Sequence, residues 1–112
     1  MQDRPVSESH AIDFPTFGWE DDQPGIRSQA GRAVGSRWAI VEYSAGASRD
    51  EWCTDGHRGY VLEGRIEYEF DDGSAPLQLD AGQGFVLAAG TGHRGHNPGD
   101  GTTRLFLIDD PD

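Results

Sequence analysis

The sequence has one cysteine, few basic residues and no long apolar segment. Each of these shortages excludes a structural feature or a class of binding partner. A single thiol, Cys53, excludes an internal disulfide, so it is a buried apolar side chain, a reactive thiol or a metal ligand. Lys and Arg together number 9 against 20 Asp and Glu, which gives a net charge of −11. This balance argues against a nucleic-acid or anionic-membrane partner, since both require clustered positive charge.

Long apolar runs and helical periodicity are also missing. No apolar run approaches the roughly 20 residues that a membrane-spanning helix needs, and residues 1–10 lack the apolar stretch of a secretion signal. We therefore expect a cytoplasmic protein without a membrane partner. No segment repeats apolar residues at helical spacing over more than two turns, which argues against a helical fold.

The sequence contains instead a series of short alternating segments between glycine-rich turns. Residues 37–43 predict a strand with Trp38 and Ile40 on one face and Ala39, Val41 and Tyr43 on the other. An acidic turn is predicted at 20–25, and further strands are predicted at residues 58–62, 65–70, 77–79, 85–87, 93–97 and 103–108. Many short strands in 112 residues predict one all-β domain, a sandwich or a barrel.

Four side chains with metal-binding chemistry lie at the edges of these strands. Glu51 and Cys53 alternate across one residue, so on a strand they face the same side. His57 follows closely, and His93 lies near the start of a later strand. Carboxylate, thiolate and imidazole are the side chains that bind divalent transition metals, so these residues make a four-ligand pocket if the fold brings the two stretches together.

Two motifs resemble those of the cupin superfamily, over about residues 37–108. In residues 60–64, Gly64 matches the glycine that ends the first cupin motif, and counting back places His57 at the family's Glu position and Glu51 and Cys53 at its His pair. Residues 82–97 resemble the second motif along their whole length, with His93 at the last ligand position and Asn97 at the terminal Asn. Residues 50–57 are also similar to small bacterial cupins whose ligand strand reads Asp-His-Trp-Cys before Gly-His, except that Glu replaces that His.

The resemblance implies a single cupin barrel of the double-stranded β-helix or jelly-roll type. On this interpretation residues 1–11 are frayed, 12–36 form an N-terminal arm and edge strands, 37–108 form the barrel and 109–112 are a tail. Cupins of this size often dimerise through an N-terminal strand or a sheet edge, so we expect a homodimer with residues 14–19 as the candidate arm.

The resemblance also implies a divalent metal, and the thiolate makes Zn²⁺ the first choice, with Fe²⁺, Mn²⁺ or Ni²⁺ as alternatives. If Glu51, Cys53, His57 and His93 all bind, the site is closed and structural. If Glu51 stays free, it is a candidate general base. His96 lies three residues after His93 and is expected to face outward.

The candidate substrate pocket consists of Arg58, Tyr60 and Trp38, with Arg58 able to pair with a substrate carboxylate. The alternative for Arg58, which we favour, is an exposed salt bridge with one of the many acidic residues. We expect a metal-dependent enzyme acting on a small organic molecule, of the isomerase, lyase, cyclase or dioxygenase type. The alternative is a non-catalytic ligand-binding or sensory cupin with a structural metal. A third hypothesis is a metal-free barrel whose first motif has decayed.

Overall fold

The computed structural model describes residues 8–110, which form one short 3₁₀ helix and nine strands. The helix covers Phe14–Thr16, and the strands are β1 (Trp19–Gln23), β2 (Ile26–Ala33), β3 (Ser36–Tyr43), β4 (His57–Glu63), β5 (Arg65–Phe70), β6 (Leu77–Asp80), β7 (Gly84–Leu87), β8 (His93–His96) and β9 (Thr103–Asp109). Within this described part of the chain, no helix is long and apolar enough to cross a membrane.

The strands form two antiparallel sheets that enclose one core. The larger sheet has the order β1-β2-β3-β9-β4-β7 and the smaller one β6-β5-β8. Inward side chains of both sheets build a single cluster, which includes Val41, Tyr43, Val61, Leu105, Ile66, Tyr68 and Leu79. This arrangement is a jelly-roll barrel, and the predicted all-β class is confirmed.

Strand β3 shows how alternation places side chains in this barrel. Ala39, Val41 and Tyr43, predicted to share one face, are buried in the core. Trp38 and Ile40 alternate with them and are only partly buried. The Trp38 indole donates a hydrogen bond to the Ala33 carbonyl at 2.8 Å.

The N-terminal segment differs from the prediction in the position of its turn. The expected acidic turn at 20–25 is wrong, because β1 continues to Gln23 and the turn lies at Pro24 and Gly25. The physical reason is cross-strand pairing: β1 pairs with β2 along its length, and the Arg27 guanidinium lies 4.4 Å from the centre of the Trp19 ring.

The segment predicted as an arm lies against its own barrel. The Phe17 ring lies over Gly31 of β2, where an added Cβ would stand 2.2 Å from a ring carbon. The prediction of frayed ends falls partly on residues 1–7 and 111–112, which lie outside the described residues. Residues 8–13 carry no regular structure, whereas Asp109, assigned to the tail from the sequence, is the last residue of β9.

The turn between β4 and β5 requires a glycine. Gly64 has φ of +76°, which side-chain-bearing residues rarely adopt. An added Cβ there would stand 2.6 Å from the Thr103 hydroxyl. That hydroxyl donates to the Arg65 carbonyl at 2.6 Å and accepts from the Arg65 amide at 3.1 Å. The turn is thereby anchored to β9, which fixes β4 beside it.

Candidate metal centre

Cys53 and His93 are brought side by side by a short stretch of backbone pairing. The Cys53 amide donates to the His93 carbonyl at 2.9 Å, and the His93 amide donates back to the Cys53 carbonyl at 2.8 Å. Residues directly opposite in an antiparallel pair project their side chains to the same face. The thiol and the imidazole therefore project together from one face.

His57 supplies the third donor from the start of β4. Its Nε2 lies 3.6 Å from the Cys53 Sγ, and its ring centre lies 5.0 Å from that of His93. One donor atom from each of Cys53, His57 and His93 falls within 4.8 Å of the other two. Three of the four ligands predicted from the sequence thus converge in the structure.

The donor set fits a transition-metal ion. Bond lengths of about 2.3 Å to sulfur and 2.0–2.1 Å to nitrogen at a tetrahedral angle place the two donor atoms about 3.6 Å apart. The Cys53 to His57 separation of 3.6 Å has this value. A thiolate with two imidazoles suits Zn²⁺, and the imidazoles also suit iron, copper and nickel.

Asp109 holds the His57 ring. The Nδ1 of His57 donates to the Asp109 carboxylate at 2.7 Å, and Nε2 is directed toward the Cys53 sulfur. The two residues are directly opposite each other in the pairing of β4 with β9. A carboxylate behind a ligating imidazole is the usual outer partner in metal sites. Sequence reasoning missed Asp109, although alternation from Leu105 and Leu107 places it on the inner face.

His93 is held neutral by its surroundings. Its side chain is 4% exposed, and burial, together with the neighbouring His57, lowers its pKa from 6.5 to about 4. An imidazole must be neutral to bind a metal. The strand start is fixed by Asp71, whose carboxylate accepts a hydrogen bond from the Gly92 amide at 3.0 Å.

Glu51 does not join the three donors. It lines the same cavity as Cys53, but its side chain is exposed and none of its carboxylate oxygens belongs to the donor cluster. Asp55 is placed in the same way, exposed and lining the cavity. The structure therefore brings Glu51 near the site without placing it as a ligand.

The residues predicted as a substrate pocket lie elsewhere. Arg58 and Tyr60 alternate with the inward His57 on β4, so they lie on the outer face of the sheet and are exposed. Arg58 lies 3.8 Å from the carboxylate of Asp110, and Trp38 packs against Phe106 on the outer side of β3. None of the three lines the cavity. Proximity to His57 in sequence was misleading, because a strand reverses face at every residue.

Two polar residues of the second motif have structural roles. The His96 ring is hydrogen-bonded to the Ser48 hydroxyl and takes no part in the donor cluster. Asn97 is buried, and its amide nitrogen lies within 3.1 Å of the carbonyls of Tyr43, Ser44 and Gly101. It therefore ties β8 to the ends of its neighbours.

The donor cluster faces a cavity of about 780 Å³. Buried Tyr43 and Tyr68 line it alongside Val41 and Leu107. Burial raises the pKa of both tyrosines above the usual value, so both hydroxyls stay protonated. The remaining wall is polar and includes Asp22, Arg37, Arg49, Asp50, Glu51, Trp52, Asp55 and Arg94. This lining suits a small polar molecule.

Comparison with known proteins places the chain in a family. The sequence model of the cupin domain family matches residues 40–109, more than half of the chain. No sequence among the curated proteins matches the chain significantly.

Solved structures show the same fold. KdgF from a Halomonas species shares 20% identity with a TM-score of 0.71, covering 94% of this chain and 96% of that one. An RmlC-like cupin from Shewanella frigidimarina shares 20% identity with a TM-score of 0.73, covering 94% and 93%. A sugar phosphate isomerase of the cupin superfamily from Silicibacter pomeroyi shares 15% identity with a TM-score of 0.71, covering 92% and 76%. These likenesses show the fold, and the family match over residues 40–109 shows that the chain belongs to the cupin domain family.

Proposed function

We propose that this cupin binds a divalent transition metal, Zn²⁺ first, through Cys53, His57 and His93 and acts on a small organic molecule. The observation that carries the proposal is the convergence of three donor atoms within 4.8 Å at the wall of an open cavity. Three protein ligands that leave a further position open are typical of catalytic metal sites, whereas four are typical of structural zinc sites.

The arrangement around the donors supports a reactive site. A metal held there would supply Lewis-acid polarisation of a substrate oxygen, as isomerase, lyase and cyclase chemistry requires, or dioxygen chemistry if it is iron. Asp109 orients His57, and the buried Tyr43 and Tyr68 line the cavity beside the donors. Glu51 is the proposed proton acceptor, since its exposed carboxylate lines the same cavity and has no place among the three donors.

Elemental analysis of protein purified without a metal-binding tag tests the proposal. We expect close to one metal ion per chain, and loss of that metal in the variants Cys53→Ala and His57→Ala. His96→Ala is the matched control, because this histidine lies outside the donor cluster and should not alter metal content. A protein without metal, whose thermal stability does not rise with Zn²⁺, Fe²⁺, Mn²⁺ or Ni²⁺, would refute it.

A non-catalytic cupin with a structural metal is the second candidate. Glu51 lies two residues from Cys53 and lines the same cavity, so its carboxylate is the candidate fourth ligand that would close the site. The absorption spectrum of the Co²⁺-substituted protein distinguishes an open, catalytic metal site from a closed, structural one. Competing small ligands such as azide should change the spectrum of an open site and leave that of a closed site unchanged.

We also propose that the chain forms a homodimer. Strand β7 lies at the edge of the larger sheet, and its Val86 side chain is 71% exposed opposite Arg58 of β4. Tyr60 and Leu62, further along β4, are also exposed. Contact with a second copy would cover this edge and these apolar side chains. Light scattering coupled to size-exclusion chromatography should report twice the chain mass, and a monomer at all concentrations would refute the proposal.

A further inference from the structure

Arg37 is an unpartnered cation on the cavity wall. It lies on β3 in phase with Ala39, Val41 and Tyr43, so its side chain leaves the strand on the inner face of the barrel. The residue is half-buried and lines the cavity that contains the three donors. Within residues 8–110, its guanidinium has no hydrogen-bond or ion-pair partner.

The two other arginines of the cavity are already satisfied. Arg49 donates to the Tyr43 hydroxyl at 3.2 Å and to the Asp22 carboxylate at 2.9 Å. Arg94 pairs with Glu69, and its guanidinium lies 4.1 Å from the centre of the Trp52 ring. These contacts occupy both cations with protein groups. Arg37 differs, since its five N–H donors are available to a ligand.

The position of Arg37 relates it directly to the donor cluster. The pairing of β3 with β9 sets Trp38 opposite Ile108, so one step further along this register Arg37 lies beside Asp109. The carboxylate of Asp109 already accepts a hydrogen bond from His57 at 2.7 Å. A ligand that reaches the donor cluster through the cavity therefore passes within reach of a guanidinium on the same inner face.

We propose that Arg37 anchors the carboxylate of the substrate, which is a small hydroxylated monocarboxylate. This inference rests on the proposed function and names its substrate class. A guanidinium matches a carboxylate through two parallel hydrogen bonds. Asp50, Glu51 and Asp55 line the same cavity and carry only hydrogen-bond acceptors when ionised, so they suit the hydroxyl groups of a ligand.

The charge of the cavity favours one carboxylate over a phosphate. Among the side chains that line the cavity, only Arg37 is free to compensate a ligand's negative charge, and the neighbouring acids repel any excess. In the metal-free protein, a monoanion is balanced by one guanidinium, whereas a phosphate dianion leaves one charge facing the carboxylates of Asp50, Glu51 and Asp55.

Titrations followed by NMR test this subsite with matched pairs of probes. Glycolate, lactate and gluconate are compared with their neutral counterparts ethylene glycol, 1,2-propanediol and glucitol, and with inorganic phosphate, at constant ionic strength. We expect saturable shifts of the Cys53 and His93 amide signals with the carboxylates alone. Arg37→Gln should weaken carboxylate binding about 10- to 100-fold, because a hydrogen-bonded charge pair is lost. Arg37→Lys should restore part of it.

Controls separate the subsite from the metal site and from folding. Arg58→Gln removes an exposed arginine from the outer face and should leave binding unchanged. Arg37→Gln should unfold at the same temperature as the wild type, since no partner within the described residues loses a contact.

The same titrations on metal-loaded and metal-free protein distinguish the two proposals. If the protein takes up no metal but still binds carboxylates in a way that depends on Arg37, the proposed metalloenzyme is refuted and the carboxylate subsite is supported. Equal binding by wild type and Arg37→Gln, equal binding of the neutral probes, tighter binding of phosphate, or no binding of any carboxylate would overturn the subsite.

Discussion

The hydrogen bond between His57 and Asp109 should control metal affinity, and replacing Asp109 tests the candidate site most directly. The bond is short, 2.7 Å, and both side chains are largely buried, at 12% and 21% exposure. The carboxylate fixes the ring so that Nε2 faces the Cys53 sulfur, and its negative charge favours binding of a cation at that nitrogen.

Two substitutions of Asp109 should lower zinc affinity by different amounts. Asp109→Asn keeps an oxygen that accepts the hydrogen bond but removes the charge, so we expect about a tenfold loss of zinc affinity. Asp109→Ala removes both the accepting oxygen and the charge, so zinc affinity should fall about 100-fold, or by about 3 kcal/mol. This is the upper end of the range for outer partners of metal ligands. Competition with a chelator of known zinc affinity at pH 7.5 measures both values.

A neighbouring carboxylate provides the control. Asp110 follows Asp109 directly but lies on the surface, 3.8 Å from Arg58, so Asp110→Asn should bind zinc like the wild type. Zinc affinity unchanged in both Asp109 variants, with a clear loss in His57→Ala, would refute the reasoning that the carboxylate prepares the ligand.

Two further predictions concern stability. Because the pKa of His93 falls from 6.5 to about 4 on folding, the unfolded chain takes up a proton first as the pH drops. Metal-free protein should therefore lose stability between pH 6.5 and 4, by at most about 3 kcal/mol. Urea unfolding at several pH values measures this, and His93→Gln should flatten the dependence. Gly92→Ala should destabilise the fold by about 1 kcal/mol, because its Cβ would stand 2.2 Å from an Asp71 oxygen and would displace the carboxylate that accepts a hydrogen bond from the residue 92 amide. Gly101→Ala, with nothing within 4 Å of its Cβ, is the control, and equal melting temperatures of the two variants would contradict the clash.

Strand positions were predictable from the sequence because alternation is a local property. The predicted strand at 65–70 matches β5, and 103–108 matches β9 to within one residue. The error at 20–25 arose where acidic residues form an edge strand whose stability comes from its pairing with β2. Local composition does not predict such pairing, since contacts with the partner strand supply the energy that stabilises an edge strand.

The fold class and the chemistry available to the site can be predicted from the order of the amino acids, because a two-residue period and the identity of Cys53, His57 and His93 are readable along the chain. Which of these groups meet depends on how the strands pair. Asp109 lies 52 residues from His57 in sequence and contacts it through the pairing of β9 with β4. That same arrangement turns Arg58 outward and Arg37 inward, and leaves Glu51 outside the donor cluster. The physical reason is that strand neighbours are chosen by long-range pairing and by burial of one face, which no local pattern encodes.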